Sequence, residues 1–366
     1  MISRGEYALE TTRDDDGKDK VLSMLSSLDD HTFAKGGPDR VSGEPVDVTI
    51  IIVSWNSAHL LPICLRHVAA ATAEMRAEVI VADNDSQDES VEICMDLPGV
   101  DVVIRLAKNV GFGRANNLAA QFARGRLLLL LNPDAFLEQS DAVIRLASRL
   151  HPGKPPHAVG PKLLNVDGSH QVGDGGWRPS IGHVAVHQLL LSRIFPRLRG
   201  LYIISNHRAS PAPLEVDWLC GACLMVDRLA FLSVGGFPND IFLYGEDVVL
   251  GDRLQVAGFQ LVYDHTVSVL HLQGATQRDA NASRYVSVRW IDALAEPYIG
   301  SGPLWDRFAG LCMLVVLGLG FAIRIVAFAL LSKGGRDELH ADGVRANWMY
   351  LRHLGKIFRR LFGTEK

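Results

Sequence analysis

From residue 47 onward, short and wholly apolar runs alternate along the chain with stretches of helical spacing. Val48-Thr49-Ile50-Ile51-Ile52-Val53 is a β-branched run closed by the polar turn Ser54-Trp55-Asn56-Ser57. A helical stretch follows from His59 to Thr72, then a second apolar run, Val79-Ile80-Val81-Ala82, ending in Asp83-Asn84-Asp85-Ser86. Val102-Val103-Ile104 is a third run; Gly111-Phe112-Gly113 opens a helix that reaches Arg124. Leu127 to Leu131 is a fourth, ending in Asn132-Pro133-Asp134. Apolar strands separated by helices predict an α/β fold with a mostly parallel, Rossmann-like sheet covered on both faces. Ligands of such sheets bind at the carboxyl ends of the strands, and here those ends carry the polar turns.

The flanks differ. Residues 1–46 are polar, with Asp14-Asp15-Asp16, a Gly36-Gly37-Pro38 break and only a short apolar patch, Val21 to Leu28. They read as a flexible leader, with no apolar run of a secretory signal near the start. After the four strands come a Gly/Pro-rich loop (Gly173 to Pro179), a helical segment to Ser205 and a block from Asp217 to Thr276. Within that block Asp247 to Ala257 has helical spacing and Phe259 to Tyr263 reads as a strand. Three regions result: the leader 1–46, an α/β domain 47–280 and a C-terminal helical region 281–366.

Phe308 to Leu331 is apolar except for Arg324, long enough to span a bilayer. An Arg at the centre of a span costs roughly 2.5–3.5 kcal/mol. The tail beyond carries Lys333, Arg336, Arg345, Arg352, Lys356, Arg359, Arg360 and Lys366, which a span would place on the wrong side for a cytosolic domain. The expectation is a segment lying in, or re-entering, the cytoplasmic leaflet, with the tail on anionic headgroups. The alternative is a buried core helix followed by a solvated tail.

With 37 basic and 41 acidic residues the formal net charge is −4, which offers no footprint for nucleic acid. Five cysteines in so long a chain argue against a disulfide framework and for a reducing cytosol. Cys220-Gly221-Ala222-Cys223 has redox or zinc spacing, but no second pair exists to complete a zinc site, so these thiols read as core.

Several strand and helix ends carry candidate chemistry. Asn132-Pro133-Asp134 offers a carboxylate that can hold Mg²⁺ or Mn²⁺ against a diphosphate, although the same triplet is an ordinary turn. Asp83 and Asp85 can accept from a nucleobase N–H or a ribose hydroxyl; alternatively they form an Asx-turn, with Asp88 capping the next helix. Asn109 through Asn117 is a Gly-containing helix entry of the kind that binds anions, without the full dinucleotide fingerprint. Glu246-Asp247 opens a helix, where acids favour the dipole whether or not one acts as a base. His271 ends the apolar run Val269-Leu270-His271 and can complete a metal shell or serve structure alone.

Together, Ser54-Trp55-Asn56, Ala82-Asp83-Asn84-Asp85-Ser86, Asn109-Val110-Gly111-Phe112-Gly113, Leu131-Asn132-Pro133-Asp134, Trp218-Leu219-Cys220-Gly221-Ala222-Cys223 and Glu246-Asp247-Val248-Val249-Leu250 resemble, in that order, the family 2 inverting glycosyltransferases of GT-A fold. The likeness covers residues 47–280 and is nearest to bacterial rhamnosyltransferases of cell-wall and polysaccharide assembly. It implies a nucleoside-diphosphate sugar donor, dTDP-rhamnose in the first instance. The membrane-surface C-terminus in turn suggests a glycan or polyprenyl-diphosphate-linked glycan acceptor at the cytoplasmic face of the membrane.

The resemblance assigns roles by position. Ser54, Trp55, Asn56 and Asp83 match the nucleotide-base site, with Asp85 and Asn132 beside the donor. Asn109, Gly111 and Asn116 match the diphosphate and ribose stretch. Asp134 matches the metal acid, with His271 helping to hold the Mg²⁺ or Mn²⁺. Asp247 matches the catalytic base with Glu246 next to it, and Trp218, Gly221 and Ala222 match the acceptor wall. Departures are Asn132 at the head of the metal motif, Asp85 and Cys220 in place of small residues or Ser, and Leu272-Gln273 where a second His and a Gly are frequent. Two alternatives stay open: the same fold with a UDP-hexose, UDP-N-acetylglucosamine or UDP-galactofuranose donor, and an inactive nucleotide-binding scaffold. A nucleotidyltransferase would need a Gly-rich phosphate loop that Ser54-Trp55-Asn56-Ser57 does not supply.

Overall fold

A computed structural model of the chain describes residues 31–36, 45–178, 180–189, 191, 204, 213–239, 241, 245–272, 291, 304–331 and 338–362. The Val21–Leu28 patch, Phe242 to Tyr244, Gln273 and the tail residues Lys333, Arg336 and Lys366 lie outside them.

The first half alternates strand and helix: β1 (His31–Lys35), β2 (Val48–Ser54), α1 (Leu61–Ala71), β3 (Ala77–Asp83), α2 (Ser90–Asp96), β4 (Val102–Leu106), α3 (Phe112–Phe122) and β5 (Leu127–Leu131). The strands β4, β3, β2 and β5 lie side by side and pair in parallel. Every residue of β2 and β5 is buried, because each face of the sheet has its own helical cover. Ile50 and Ile52 join the cluster under α1, while Ile51 and Val53 join the one under α3. That double cover is why these strands read as continuous apolar runs.

The chain steps outward from β2 to β3 to β4, then returns to place β5 on the other side of β2. The carboxyl ends of β2 and β5 therefore flank a topological switch point, where open α/β sheets leave a crevice.

The second half adds β6 (Ala135–Phe136), α4 (Ala142–Ala147), β7 (Ala158–Leu164), β8 (Gly175–Gly176), α5 (Ile181–Gln188), β9 (Leu214–Val216), β10 (Trp218–Leu219), β11 (Cys223–Asp227), α6 (Arg228–Ser233), α7 (Glu246–Val256) and β12 (Leu261–His271). β11 inserts antiparallel between β5 and β7; β12 runs parallel to β7 and carries β6 at the far edge. Ten strands form this sheet, and β8 pairs with β10 in a separate ribbon. A sheet flanked by helices, followed by an apolar C-terminal helix, is the layout the GT-A resemblance implies. Two long helices, α8 (Leu304–Leu331) and α9 (Glu338–Leu361), follow.

Two expectations need correction. The leader is not irregular throughout, since His31–Lys35 pairs antiparallel with β4 and its Phe33 ring packs edge-on against Phe122. The strand expected at Phe259–Tyr263 instead runs from Leu261 to His271, passing through Asp264, Thr266 and Ser268. Those polar side chains are accommodated because Asp264 accepts from Arg149 and from Thr266.

At the opposite end of the sheet a buried acid fastens three segments. Glu78 accepts from the Thr49 hydroxyl at 2.7 Å, the Arg124 amide at 2.9 Å and the Arg124 guanidinium at 2.7 Å. Glu78→Ala strands those donors inside the fold and is expected to lower the unfolding free energy by about 2–4 kcal/mol. Urea unfolding checks this; Glu78→Gln, which keeps an acceptor, should lose less.

Candidate functional site

At the switch point, Ser54 ends β2 directly opposite Asp83 at the end of β3. Both are buried, and the Ser54 hydroxyl and Asp83 Oδ1 have no hydrogen-bond partner among the described residues. Burial pushes the Asp83 carboxyl above its ordinary range, against a hydrogen bond that its Oδ2 accepts from the Ser86 amide at 3.1 Å. Two adjoining unpartnered polar atoms at a crevice can take a ligand's N–H or O–H.

Asn56 and Asp85 both have positive φ, 49° and 66°, a conformation short polar residues tolerate. It turns the two loops onto each other: Asn56 N donates to Ser86 Oγ at 2.9 Å, and Gln87 N donates to Asn56 Oδ1 at 2.8 Å. Asp85 accepts from the Gln87 side chain, while Trp55 is exposed beside them. Asp88 does accept from Ser90 N at the head of α2 and also from Ala58 N, as the capping alternative required.

The next block is tied to this one. Asn84 Nδ2 donates to Asn109 Oδ1 at 3.0 Å, and Asn84 Oδ1 accepts from Val110 N at 2.9 Å. Asn109 Oδ1 also accepts from Gly111 N. Gly111 has φ of 91° where α3 begins, a conformation that glycine adopts without the cost a side chain would bring. Asn116 is buried and donates to the Phe112 carbonyl within its own helix, so its amide already serves α3.

The metal candidates come together through strand pairing. β12 pairs antiparallel with β6, placing His271 opposite Ala135 and next to Asp134. His271 Nε2 stands 3.4 Å from Asp134 Oδ1, and both residues are buried. The other ring nitrogen, Nδ1, lies 2.6 Å from Gln171 Oε1, and Gln171 Nε2 donates to the His271 carbonyl at 3.1 Å. Gln171 thus holds His271 both at its ring Nδ1 and at its backbone carbonyl. An Nδ1–H donated to Gln171 leaves Nε2 with a lone pair facing Asp134. Among the described residues no group of three or more ligating side chains forms. A carboxylate and an imidazole suit a Mg²⁺ or Mn²⁺ whose remaining positions belong to diphosphate oxygens and water.

The acid pair Glu246-Asp247 opens α7 after Gly245, whose φ of 95° turns the chain into the helix. Glu246 is buried in the first turn of the helix. Burial raises the Asp247 carboxyl to about 6, opposed by hydrogen bonds from the Val248 and Gly221 amides. α7 rests directly on β10, since any side chain at Gly251 would collide with the Asp217 carbonyl and with Trp218.

The loop that follows β10 touches the head of α7, the Asn132 segment and the start of α3. The Gly221 amide lies close enough to the Asp247 carboxyl to favour its ionised form; Ala222 O accepts from Asn132 N at 2.9 Å, two residues before Asp134. A Cβ on Gly221 would come within 3.0 Å of the Phe112 ring at the start of α3. Trp218 in β10 and Ala222 in the loop are both buried. Cys220 and Cys223 are free thiols. Burial, reinforced for Cys220 by the Asp247 carboxylate, pushes both above the usual thiol range.

Three side chains of this region escaped the sequence reading. Asn84 sits inside a quoted motif, yet its bonds to Asn109 and Val110 span 25 and 26 residues. Gln171 meets His271 across 100 residues and has no local signal. Asp174 lies in the Gly/Pro-rich loop; it is buried and accepts from Leu163 N and the Tyr263 hydroxyl, with His170 Nε2 at 2.9 Å, while its carbonyl accepts from Cys220 N.

The family model described as Glycosyl transferase family 2 matches residues 49–161, which contain the blocks from Ser54 to Asp134. The N-acetylglucosaminyl-diphospho-decaprenol L-rhamnosyltransferase of Mycobacterium tuberculosis is 31% identical over 245 residues, 63% of this chain and 78% of that protein. Rhamnosyltransferase WbbL of Escherichia coli is 25% identical over 274 residues, 72% of this chain and 98% of that protein. Among solved structures, the mannosyltransferase PcManGT from Pyrobaculum calidifontis, in complex with GDP-Man and Mn²⁺, is 14% identical and matches 95% of this chain and 96% of that one at a TM-score of 0.49. An identity of 31% across 78% of a rhamnosyltransferase, added to the family match through the switch-point blocks, establishes that this chain belongs to glycosyl transferase family 2 and is a glycosyltransferase.

Proposed function

We propose that the chain transfers rhamnose from dTDP-rhamnose, with inversion, to a polyprenyl-diphosphate-linked glycan at the cytoplasmic face of the membrane, in cell-surface polysaccharide synthesis. One observation carries the catalytic part of this reading. A single turn, Gly221-Ala222, sets an amide beside the Asp247 carboxyl on one side and is hydrogen-bonded to the Asn132-Pro133-Asp134 segment on the other. The donor rests on the relatives, whose names include an L-rhamnosyltransferase acting on a decaprenol-linked sugar, WbbL and the O-antigen chain rhamnosyltransferase RfbN of Salmonella typhimurium.

Ser54 and Asp83 receive the nucleobase, using the two atoms that have no partner among the described residues. Asn109 and Gly111 present the entry of α3 to the diphosphate. Asp134 and His271 hold a Mg²⁺ or Mn²⁺ ion, which when bound supplies positive charge to the leaving diphosphate. Asp247 takes the proton of the acceptor hydroxyl as that oxygen attacks the anomeric carbon from the face opposite the diphosphate. Glu246, next to it, accepts from a sugar hydroxyl. The C1–O bond to the diphosphate breaks, and the configuration at C1 inverts. Trp218, Gly221 and Ala222 form the wall on the acceptor side.

The base must be ionised to work, and its carboxyl titrates at about 6. Plotted against pH, kcat/KM should therefore rise on the acid side and level off above about 6. Asp247→Asn should lower kcat by about 10²–10⁴-fold, and near-normal turnover would remove Asp247 as the base.

EDTA should abolish nucleoside diphosphate release, and Mn²⁺ or Mg²⁺ should restore it. Gln171→Leu frees the His271 ring, so half-maximal activation should need about 10–100 times more metal, with kcat recovered at saturation. An unchanged metal titration would show that Gln171 does not orient the ligand. A donor panel tests the sugar: faster turnover of a UDP-hexose, UDP-N-acetylglucosamine or UDP-galactofuranose than of dTDP-rhamnose would replace the proposed donor.

A further inference from the structure

The C-terminal helices carry a surface that glycosyl transfer does not use. α8 and α9 pack antiparallel: Phe321 stacks near Tyr350 with ring centroids 5.0 Å apart, and Gly318 lies beside Leu354. Their shared seam holds Met313, Leu317 and Phe321 of α8 and Leu354, Ile357 and Leu361 of α9, all buried. On another side α8 meets α5, where Gly320 lies too close to Gln188 for any side chain.

Arg324, the single charge in the apolar stretch, is used here. It donates to the Gln188 side chain and to the Gly320 carbonyl. The residue that argued against a membrane helix is therefore turned toward the protein.

The opposite face of α8 is a different surface. Trp305, Phe308, Val315, Leu319, Val326 and Leu330 are each more than half exposed. They are spaced by 3, 7, 4, 7 and 4 residues, so they form one stripe along the helix. α8 is long and apolar enough to cross a bilayer, with mean hydropathy 2.5 over its most apolar 18 residues. Its partner is not: the exposed face of α9 carries Arg352, Lys356, Arg359 and Arg360, bordered by Trp348 and Phe358. Two helices packed along one seam, one of them basic, cannot cross the hydrocarbon together without taking those charges in. They can lie flat, with the stripe in the acyl boundary and the cations at the headgroups.

We infer that the α8–α9 hairpin is an in-plane membrane dock for an anionic lipid surface, seating the α8 stripe in the bilayer without crossing it. The inference rests on the proposed membrane address and is independent of donor and base. The matching chemistry is a negatively charged, phospholipid-rich leaflet, which attracts the basic band, while the aromatic residues sit at the headgroup level.

The full chain tests this by flotation with phosphatidylcholine vesicles, with and without phosphatidylglycerol. Binding should require the anionic lipid and weaken with salt. Val315→Glu, Leu319→Glu and Val326→Glu combined, or Arg352→Glu with Lys356→Glu, should each lower the bound fraction about tenfold or more. Every altered side chain is exposed, so donor turnover with a water-soluble acceptor should not change in the same preparations.

Gly355 faces open space on α9. A Gly355→Cys chain added to vesicles should react with a membrane-impermeant maleimide from outside, beyond the wild-type background, if the hairpin lies flat. Equal binding to neutral vesicles, with that cysteine protected until detergent is added, would mean a span and overturn the inference. So would absence of vesicle binding combined with a wild-type dimer that the triple glutamate variant converts to monomer, because a second copy would then cover the stripe. A chain that floats as expected but releases no nucleotide refutes the transferase mechanism alone.

Discussion

The arrangement depends on one short turn that has to satisfy neighbours from three directions. The Gly221 amide lies beside the Asp247 carboxyl, Ala222 gives its carbonyl to Asn132, and the bare α-carbon of Gly221 admits the Phe112 ring. The sheet presses this turn into place: β11 begins at Cys223 opposite Leu131, the last residue of β5. Without that antiparallel insertion, the acid at the end of β5 and the acid at the head of α7 would have no shared neighbour. Chemistry that needs a cation on one oxygen and a base near another needs such a tether, because misplacement of about 1 Å can cost catalysis heavily.

Around the turn, side chains of low intrinsic specificity gain function from their supports. His271 alone could be any buried histidine. It becomes a ligand candidate because β12 pairs with β6, which places it 3.4 Å from Asp134, and because Gln171 fixes its tautomer. The Asp83 carboxyl is likewise held by Ser86 on one oxygen and left open on the other. Buried groups left half-satisfied at a crevice cost stability, and a bound nucleotide would relieve that cost.

How much was legible in the sequence follows from where each interaction lives. β2 and β5 are covered on both faces, so their burial is written as uninterrupted apolar runs, and the polar turns after them mark the switch point directly. Short pairings such as Ala135–Phe136 and Gly175–Gly176 carry no period; they exist because a distant strand supplies a partner. His31–Lys35 was missed for the same reason, its order coming from β4 and Phe122 rather than from its own composition. The roles proposed for Asp134, Asp247 and His271 come from the family pattern in the sequence. Gln171, Asn84 and Asp174 were not legible there, because their partners lie across loops. Arg324 shows the limit of composition: hydropathy marks it as a flaw in a span, while geometry makes it the polar joint between α8 and α5.

The most direct test of a shared cleft is a crystal structure of the chain with Mn²⁺ and dTDP, read by the anomalous scattering of the metal. The account predicts one strong peak about 2.0–2.3 Å from an Asp134 oxygen and from His271 Nε2, with diphosphate oxygens completing the shell. The Asp247 carboxylate should face the same cavity from the Gly221 side. A peak held by other residues, or a nucleotide bound away from Ser54 and Asp83, would contradict it.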